Sequence, residues 1–178
     1  MIKLPVVFSD HMVLQRNKNI KVWGQADGET VVVSLGETSV STAVRGGEWS
    51  LELPPMPAGG PFSMQITDGT ETVCYQDIMI GEVWLAGGQS NMELELQNSK
   101  NGAEIVKNIN NDTVRFYYTP KVPWVGDKLY EAEAESSWEL CTPETAGRWS
   151  AVGYYFADKL SEDLGVTVGV IGCNWGGT

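Results

Sequence analysis

The apolar pattern of this chain changes once, at Ile80-Gly81, and that change limits the fold more than any other feature. Before it the sequence alternates. Trp49-Ser50-Leu51-Glu52-Leu53 and Phe62-Ser63-Met64-Gln65-Ile66 place every second side chain on an apolar face, and Val31 to Leu35 and Ser39 to Val44 read as further strands. Gly36-Glu37, Arg45-Gly46-Gly47 and Asp68-Gly69 are turn signals, and Pro54 to Pro61 is a Pro/Gly-rich connection. Short strands at this spacing predict a small antiparallel β-sandwich over residues 1–80, one face dry and one wet. After the change, Glu82-Val83-Trp84-Leu85-Ala86 and Val166 to Ile171 are near-continuous apolar runs, the mark of strands covered on both faces, and Val114 to Tyr118 is a third strand. Val152, Tyr155, Phe156, Leu160 and Leu164 fall at helical spacing, with Ser150 as cap and Gly165 as stop. Strand, helix and strand predict a parallel α/β sheet over residues 81–178, joined to the first domain without a long linker. That sheet is thin. We expect it to be incomplete, with further protein packing against it.

The segment Gly87-Gly88-Gln89-Ser90-Asn91-Met92-Glu93 follows a buried strand and precedes a predicted helix. A serine there lies at the carboxyl edge of a parallel sheet, where open α/β folds bind ligands. The glycines permit a sharp turn, and the Ser90 N–H at a helix start can face an oxyanion. A plainer role is available: Ser90 and Glu93 match the S-x-x-E capping box, and the two roles are compatible. Met92 in place of a glycine rules out the G-x-S-x-G elbow, and no lysine follows the glycines to make a phosphate loop. A second glycine-rich loop, Asn174-Trp175-Gly176-Gly177-Thr178, leaves the last strand at the same edge. It is either a second source of oxyanion-binding N–H groups or an ordinary strand-to-helix turn.

Several function classes are disfavoured. A formal net charge of -11 argues against nucleic acid and against an anionic membrane surface. No apolar run is long enough to span a bilayer, and the first residues lack the apolar core of a signal peptide, so the chain is expected to be cytoplasmic or to have lost a leader. Cys74, Cys141 and Cys173 have no metal spacing and are expected to be buried small hydrophobes, and no metal or cofactor is expected. Trp84, Trp138 and Trp149 are expected in the core, Arg115 and Arg148 on the surface, and Glu131 to Glu135 on a solvated face; a sugar-binding role for these tryptophans and arginines is the alternative.

Gly88-Gln89-Ser90-Asn91-Met92 resembles the nucleophile block of the sialate O-acetylesterase family, a branch of the SGNH hydrolases that includes acetyl xylan esterases. Four more segments agree in order: Phe8 to Arg16 with an opening strand motif, Val22 to Ala26 with the turn after it, Gly81 to Leu85 with the strand before the serine, and Trp149 to Ala157 with the helix before the closing Gly-Gly-Thr. The resemblance implies a β-sandwich followed by a flavodoxin-like SGNH domain. It implies a secreted, periplasmic or lysosomal enzyme that hydrolyses acetyl esters on a sugar or polysaccharide. Ser90 would be the nucleophile. Its N–H with that of Gly176 or Gly177 would form the oxyanion hole, and Gln89, Asn91 and Trp175 would lie near substrate. The family's Asp and general-base His fall beyond residue 178. His11, the one histidine, sits in the opening motif, where the family does not place its base. A second chain or a C-terminal segment is therefore expected to supply the base. The alternatives are an inactive carbohydrate-binding or scaffold protein and an acetyl xylan esterase, with residues 1–80 acting as a structural brace.

Overall fold

The computed structural model describes residues 1–123 and 126–177. In chain order its elements are β1 (Ile2–Lys3), β2 (Val13–Gln15), β3 (Ile20–Ala26), β4 (Thr30–Leu35), β5 (Thr38–Ala43), β6 (Glu48–Leu53), β7 (Gly59–Thr67) and β8 (Thr72–Gly88). Then follow α1 (Ser90–Glu93), α2 (Gly102–Asn108), β9 (Asn111–Tyr118), α3 (Asp127–Glu133), β10 (Trp138–Cys141), α4 (Ala151–Leu164) and β11 (Val168–Asn174).

The alternating strands behave as their pattern demands. β3 and β6 bury every second residue, so Ile20, Val22, Leu51 and Leu53 point inward while Lys21, Trp23, Ser50 and Glu52 point out. The three-stranded sheet β1-β3-β6 meets the antiparallel strands β4, β7 and the first part of β8 across one buried cluster that includes Val31, Val33, Leu35, Met64, Ile66 and Ile78. The turn expected at Asp68-Gly69 closes the β7–β8 hairpin, with Gly69 at φ +87° and the Asp68 carboxylate accepting from the N–H groups of Thr70 and Glu71. One segment differs from expectation: Val22 to Ala26 is not a turn but most of β3.

β8 is 17 residues long and runs straight through Ile80-Gly81. Its first part pairs antiparallel with β7; from Glu82 to Gly88 it pairs parallel with β11. Gly81 makes the changeover possible. A Cβ there would lie 2.0 Å from the Thr167 carbonyl oxygen, which accepts the Glu82 N–H at 3.0 Å as β11 begins. β11 also pairs parallel with β9, and β10 adds an antiparallel edge strand that the sequence pattern did not announce. β11 starts two residues later than the apolar run suggested and continues to Asn174. No second strand pairs with the Glu82–Gly88 stretch among the described residues, so the parallel sheet has a free edge at β8.

α4 forms where expected: Ser150 Oγ accepts the Gly153 N–H at 3.1 Å, and Gly165 ends the helix at φ +63°. The face it buries is not the expected one. Ala151, Gly153, Tyr154, Ala157 and Ser161 lie against the sheet, whereas Val152, Tyr155, Phe156 and Leu164 are exposed. The reason is steric. The helix lies so close to β9 that a Cβ on Gly153 would come 2.8 Å from the Phe116 ring, so the contact at that position requires a glycine.

The buried interior also corrects three other expectations. Trp138 and Trp149 are buried, but Trp84 is 46 % exposed and meets Phe156 edge-on at 5.2 Å. Of the cysteines only Cys141 is buried; Cys74 and Cys173 are exposed free thiols, because each sits on a strand position that faces solvent. Arg115 is not on the surface. It is 4 % exposed and joins the two sheet regions, donating to the His11 carbonyl at 2.9 Å, to the Asp77 carbonyl and to the Asp77 carboxylate at 3.0 Å.

Candidate active site

The two glycine-rich loops come together because β8 and β11 end level. Their parallel register pairs Gly88 with Asn174, and the Trp175 N–H then donates to the Gly88 carbonyl at 3.0 Å. Gly88, at φ +155°, turns the chain out of the strand, and α1 starts at Ser90 itself. The residue before the helix is Gln89, which makes no side-chain cap, so Ser90 and Glu93 do not form the capping box that their spacing suggested. The Ser90 side chain is exposed and its hydroxyl has no hydrogen-bond partner among the described residues.

Glu93 is used elsewhere. Its carboxylate accepts from Lys121 Nζ and, at 2.7 Å, from the backbone N–H of Gly176. Lys121 first and the Gly176 N–H second hold the Glu93 carboxyl below the usual carboxylate range. Gly176 is packed so tightly that a Cβ would lie 2.2 Å from Glu93 Oε2 and 3.6 Å from the Ser90 Cα. The terminal loop thus touches the serine, with the Gly176 N–H turned to Glu93. Gly177 is exposed at φ +80°, and Thr178 lies outside the described residues. Gln89 and Asn91 are exposed beside the serine, and Trp175 is partly exposed in the second loop.

Ser90 opens onto a pocket of about 810 Å³ whose walls include Tyr118, Lys121, Arg148, Glu95 and Asn174. Arg148 pairs with Glu139, and the Tyr118 hydroxyl accepts the Ser150 N–H at 2.7 Å. Burial pushes the Tyr118 phenol above its ordinary value. Asn174 is the residue that the sequence did not single out. It is buried, and its Nδ2 has no hydrogen-bond partner of ordinary geometry among the described residues. A polar side chain ending an apolar strand was the available signal. The Tyr118 hydroxyl is the group nearest to hand for the Asn174 amide, on the same pocket wall.

His11 lies far from the serine, beside the first part of β8. Its Nδ1 is 2.7 Å from Asp77 Oδ2, and Asp77 precedes Gly88 by a run of strand that extends about 35 Å. Arg115, bound to the same Asp77, is likewise unavailable to a ligand in the Ser90 pocket. Among the described residues no three His, Cys, Asp or Glu side chains gather in a metal-binding group, and no helix is long and apolar enough to cross a membrane.

A solved carbohydrate acetylesterase from Xanthomonas citri superposes on the whole of this chain with a TM-score of 0.92 at 31% identity, while the chain accounts for 41% of that protein. The sialate O-acetylesterase of Mus musculus is 30% identical over 188 residues, which is 95% of this chain and 35% of the mouse protein. That of Homo sapiens is 28% identical over 194 residues, 96% of this chain and 36% of its own length. Over almost its whole length the chain is similar to the sialate O-acetylesterase family. It spans little more than a third of the length of the curated sialate O-acetylesterases that it matches. No family model matches it.

Proposed function

We propose that this chain is the nucleophile-bearing part of a carbohydrate O-acetylesterase, with Ser90 as nucleophile. The observation that carries the proposal is the Ser90 hydroxyl, exposed and unpaired at the carboxyl rim of the parallel sheet, in a pocket and beside the glycine loop that follows β11. In this reading Ser90 Oγ attacks the acetyl carbonyl while a base takes its proton. The tetrahedral oxyanion is held by the backbone N–H of Ser90 and one from the terminal loop. Gly177 is the more accessible of the two glycines, since the Gly176 N–H must first leave Glu93. Collapse breaks the ester C–O bond and expels the sugar hydroxylate, which recovers the proton from the base. Water, activated by the same base, then hydrolyses the acetyl-serine. In this reading Asn174 and Arg148, which line the pocket, hold the sugar, and Gln89, Asn91 and Trp175 shape the entrance.

The base is proposed to come from polypeptide outside this chain, either a second chain or a further segment. Neither carboxylate in the pocket suits the task. Glu93 is held by Lys121 and Gly176, and Glu95 accepts from Gln97 and Asn98 at 2.7 and 3.1 Å. Surface for such a partner is present. β8 has its free edge, Leu85 on it is 69 % exposed, and the apolar stripe of α4 adjoins Trp84. Leaving Val, Leu or Phe in water forgoes about 1.5–3 kcal/mol each. A flavodoxin-like sheet places its first strand between two neighbours, and β8 has one.

Ester turnover by the full-length protein, assayed with p-nitrophenyl acetate and with acetylated sialic acid and acetylated xylan in parallel, tests the reading. Ser90→Ala should lower it by about a thousandfold or more; undiminished turnover overturns the assignment. The ratio of the two sugar substrates separates a sialate esterase from an acetyl xylan esterase. A second reading, a carbohydrate-binding protein without catalysis, is favoured by one observation, the occupation of the Gly176 N–H by Glu93.

A further inference from the structure

A second groove, of about 970 Å³, lies on the outer side of the three-stranded sheet, to which Ser90 does not belong. Trp23 projects from the solvent face of β3 and is 41 % exposed, and Tyr130 of α3 comes in from the other half of the chain. No exposed aromatic pair stands out within residues 1–80 alone; the pair is created by folding. Lys3, Lys21 and Arg45 also line the groove, and none of them has a carboxylate within 4.0 Å among the described residues. One acid, Glu48, lines it with them. Glu52 stands across from Lys21 in the β3–β6 register, but accepts from Asn19 Nδ2 at 2.8 Å instead. In a chain of net charge -11, three unpaired cations around two aromatic rings are a local reversal of sign.

A second observation points to a ligand. Trp49, 4 % exposed, forms part of the groove wall, and its indole N–H is buried without a hydrogen-bond partner among the described residues. A buried donor without an acceptor is disfavoured unless a bound group completes it. Gly24 keeps these parts close: a Cβ there would lie 2.2 Å from the Lys3 carbonyl oxygen and 3.2 Å from the Trp49 ring. Aromatic rings of this exposure take the apolar faces of sugar rings, an indole N–H takes a sugar oxygen, and lysine and arginine take a carboxylate.

We propose that this groove binds an anionic saccharide, a sugar chain carrying carboxylates, with Trp23 and Tyr130 against the rings and Lys3, Lys21 and Arg45 on the charges. It anchors a glycan at a site separate from the Ser90 pocket, and it stands or falls independently of esterase activity. Titration calorimetry with trigalacturonate, and with neutral maltotriose as comparison, tests the proposal. The expected result is binding of trigalacturonate that weakens with salt, at least about tenfold tighter than maltotriose. Trp23→Ala and, separately, Tyr130→Ala should each weaken it about tenfold, and Lys21→Ala with Arg45→Ala should remove most of the salt dependence. Two aromatic variants on different elements guard against misfolding of either one, and an unchanged urea-unfolding midpoint in both checks their fold. The proposal is overturned if trigalacturonate does not bind at millimolar concentration, if maltotriose binds equally well, or if both folded aromatic variants retain full affinity.

Discussion

The two halves of the molecule use their apolar periods differently. Under β3, β4, β6 and β7 the large branched side chains point inward, and the interior is Ile, Leu, Val and Met from two sheets. Under α4 the small residues Ala151, Gly153, Ala157 and Ser161 point inward together with Tyr154, while Val152, Tyr155, Phe156 and Leu164 are left outside. Both halves carry a clear apolar period. In the first the period marks the face that is covered; in the second it marks a face that these residues leave open. Small residues at Ala151, Gly153 and Ala157 let α4 approach the sheet closely, and the apolar stripe on its far side is the surface proposed above for further polypeptide.

The comparison can be broken at the place where the halves meet. Arg115→Ala should cost the most, about 3–5 kcal/mol, because it leaves Asp77 and two carbonyls without their buried cation. Urea unfolding of the chain measures this, and a loss below 1 kcal/mol would mean that the halves do not depend on this link. Next, Ile66→Ala should cost about 2–4 kcal/mol through the cavity it opens in the first half. In the second half the expected order is inverted. Gly153→Val, which enlarges a side chain, should cost about 1–3 kcal/mol against Phe116, whereas Val152→Ser, which removes an exposed apolar group, should stay within about 0.5 kcal/mol. If Val152→Ser proves the worse of the two, the assignment of faces on α4 is wrong.

A smaller effect concerns acid. Burial works against the charge of Asp77, but the hydrogen bonds from His11 and Arg115 together hold its carboxyl below the ordinary value. A depressed carboxyl pKa stabilises the fold above the unfolded value near about 4, and that contribution is lost as pH falls through the folded value. The midpoint of thermal unfolding should therefore fall more steeply below about pH 4 in the parent than in Asp77→Asn. Parallel curves for the two proteins would remove Asp77 from the account.

The elements that were readable in the sequence depend on neighbours close in the chain. Alternation gave β4 to β7, Ser150 and Gly165 bounded α4, and the glycines before Ser90 marked the end of a buried strand. What escaped depends on distant partners. β10 is defined by its pairing with β9 and not by its own residues. Arg115 looked like a surface cation because Asp77 and His11, which receive it, lie 38 and 104 residues away. Glu93 looked like a capping residue until Lys121 and Gly176 were brought to it. Asn174 and the Trp23–Tyr130 groove required the folded surface as a whole.

β8 gives the molecule an undivided spine. Its one stretch of backbone is hydrogen-bonded to β7 at one end and to β11 at the other, so the two halves share one strand across their junction. Turning one half against the other would have to break pairing along that strand, so the serine rim and the sandwich that packs beneath the outer groove are tied through a single backbone.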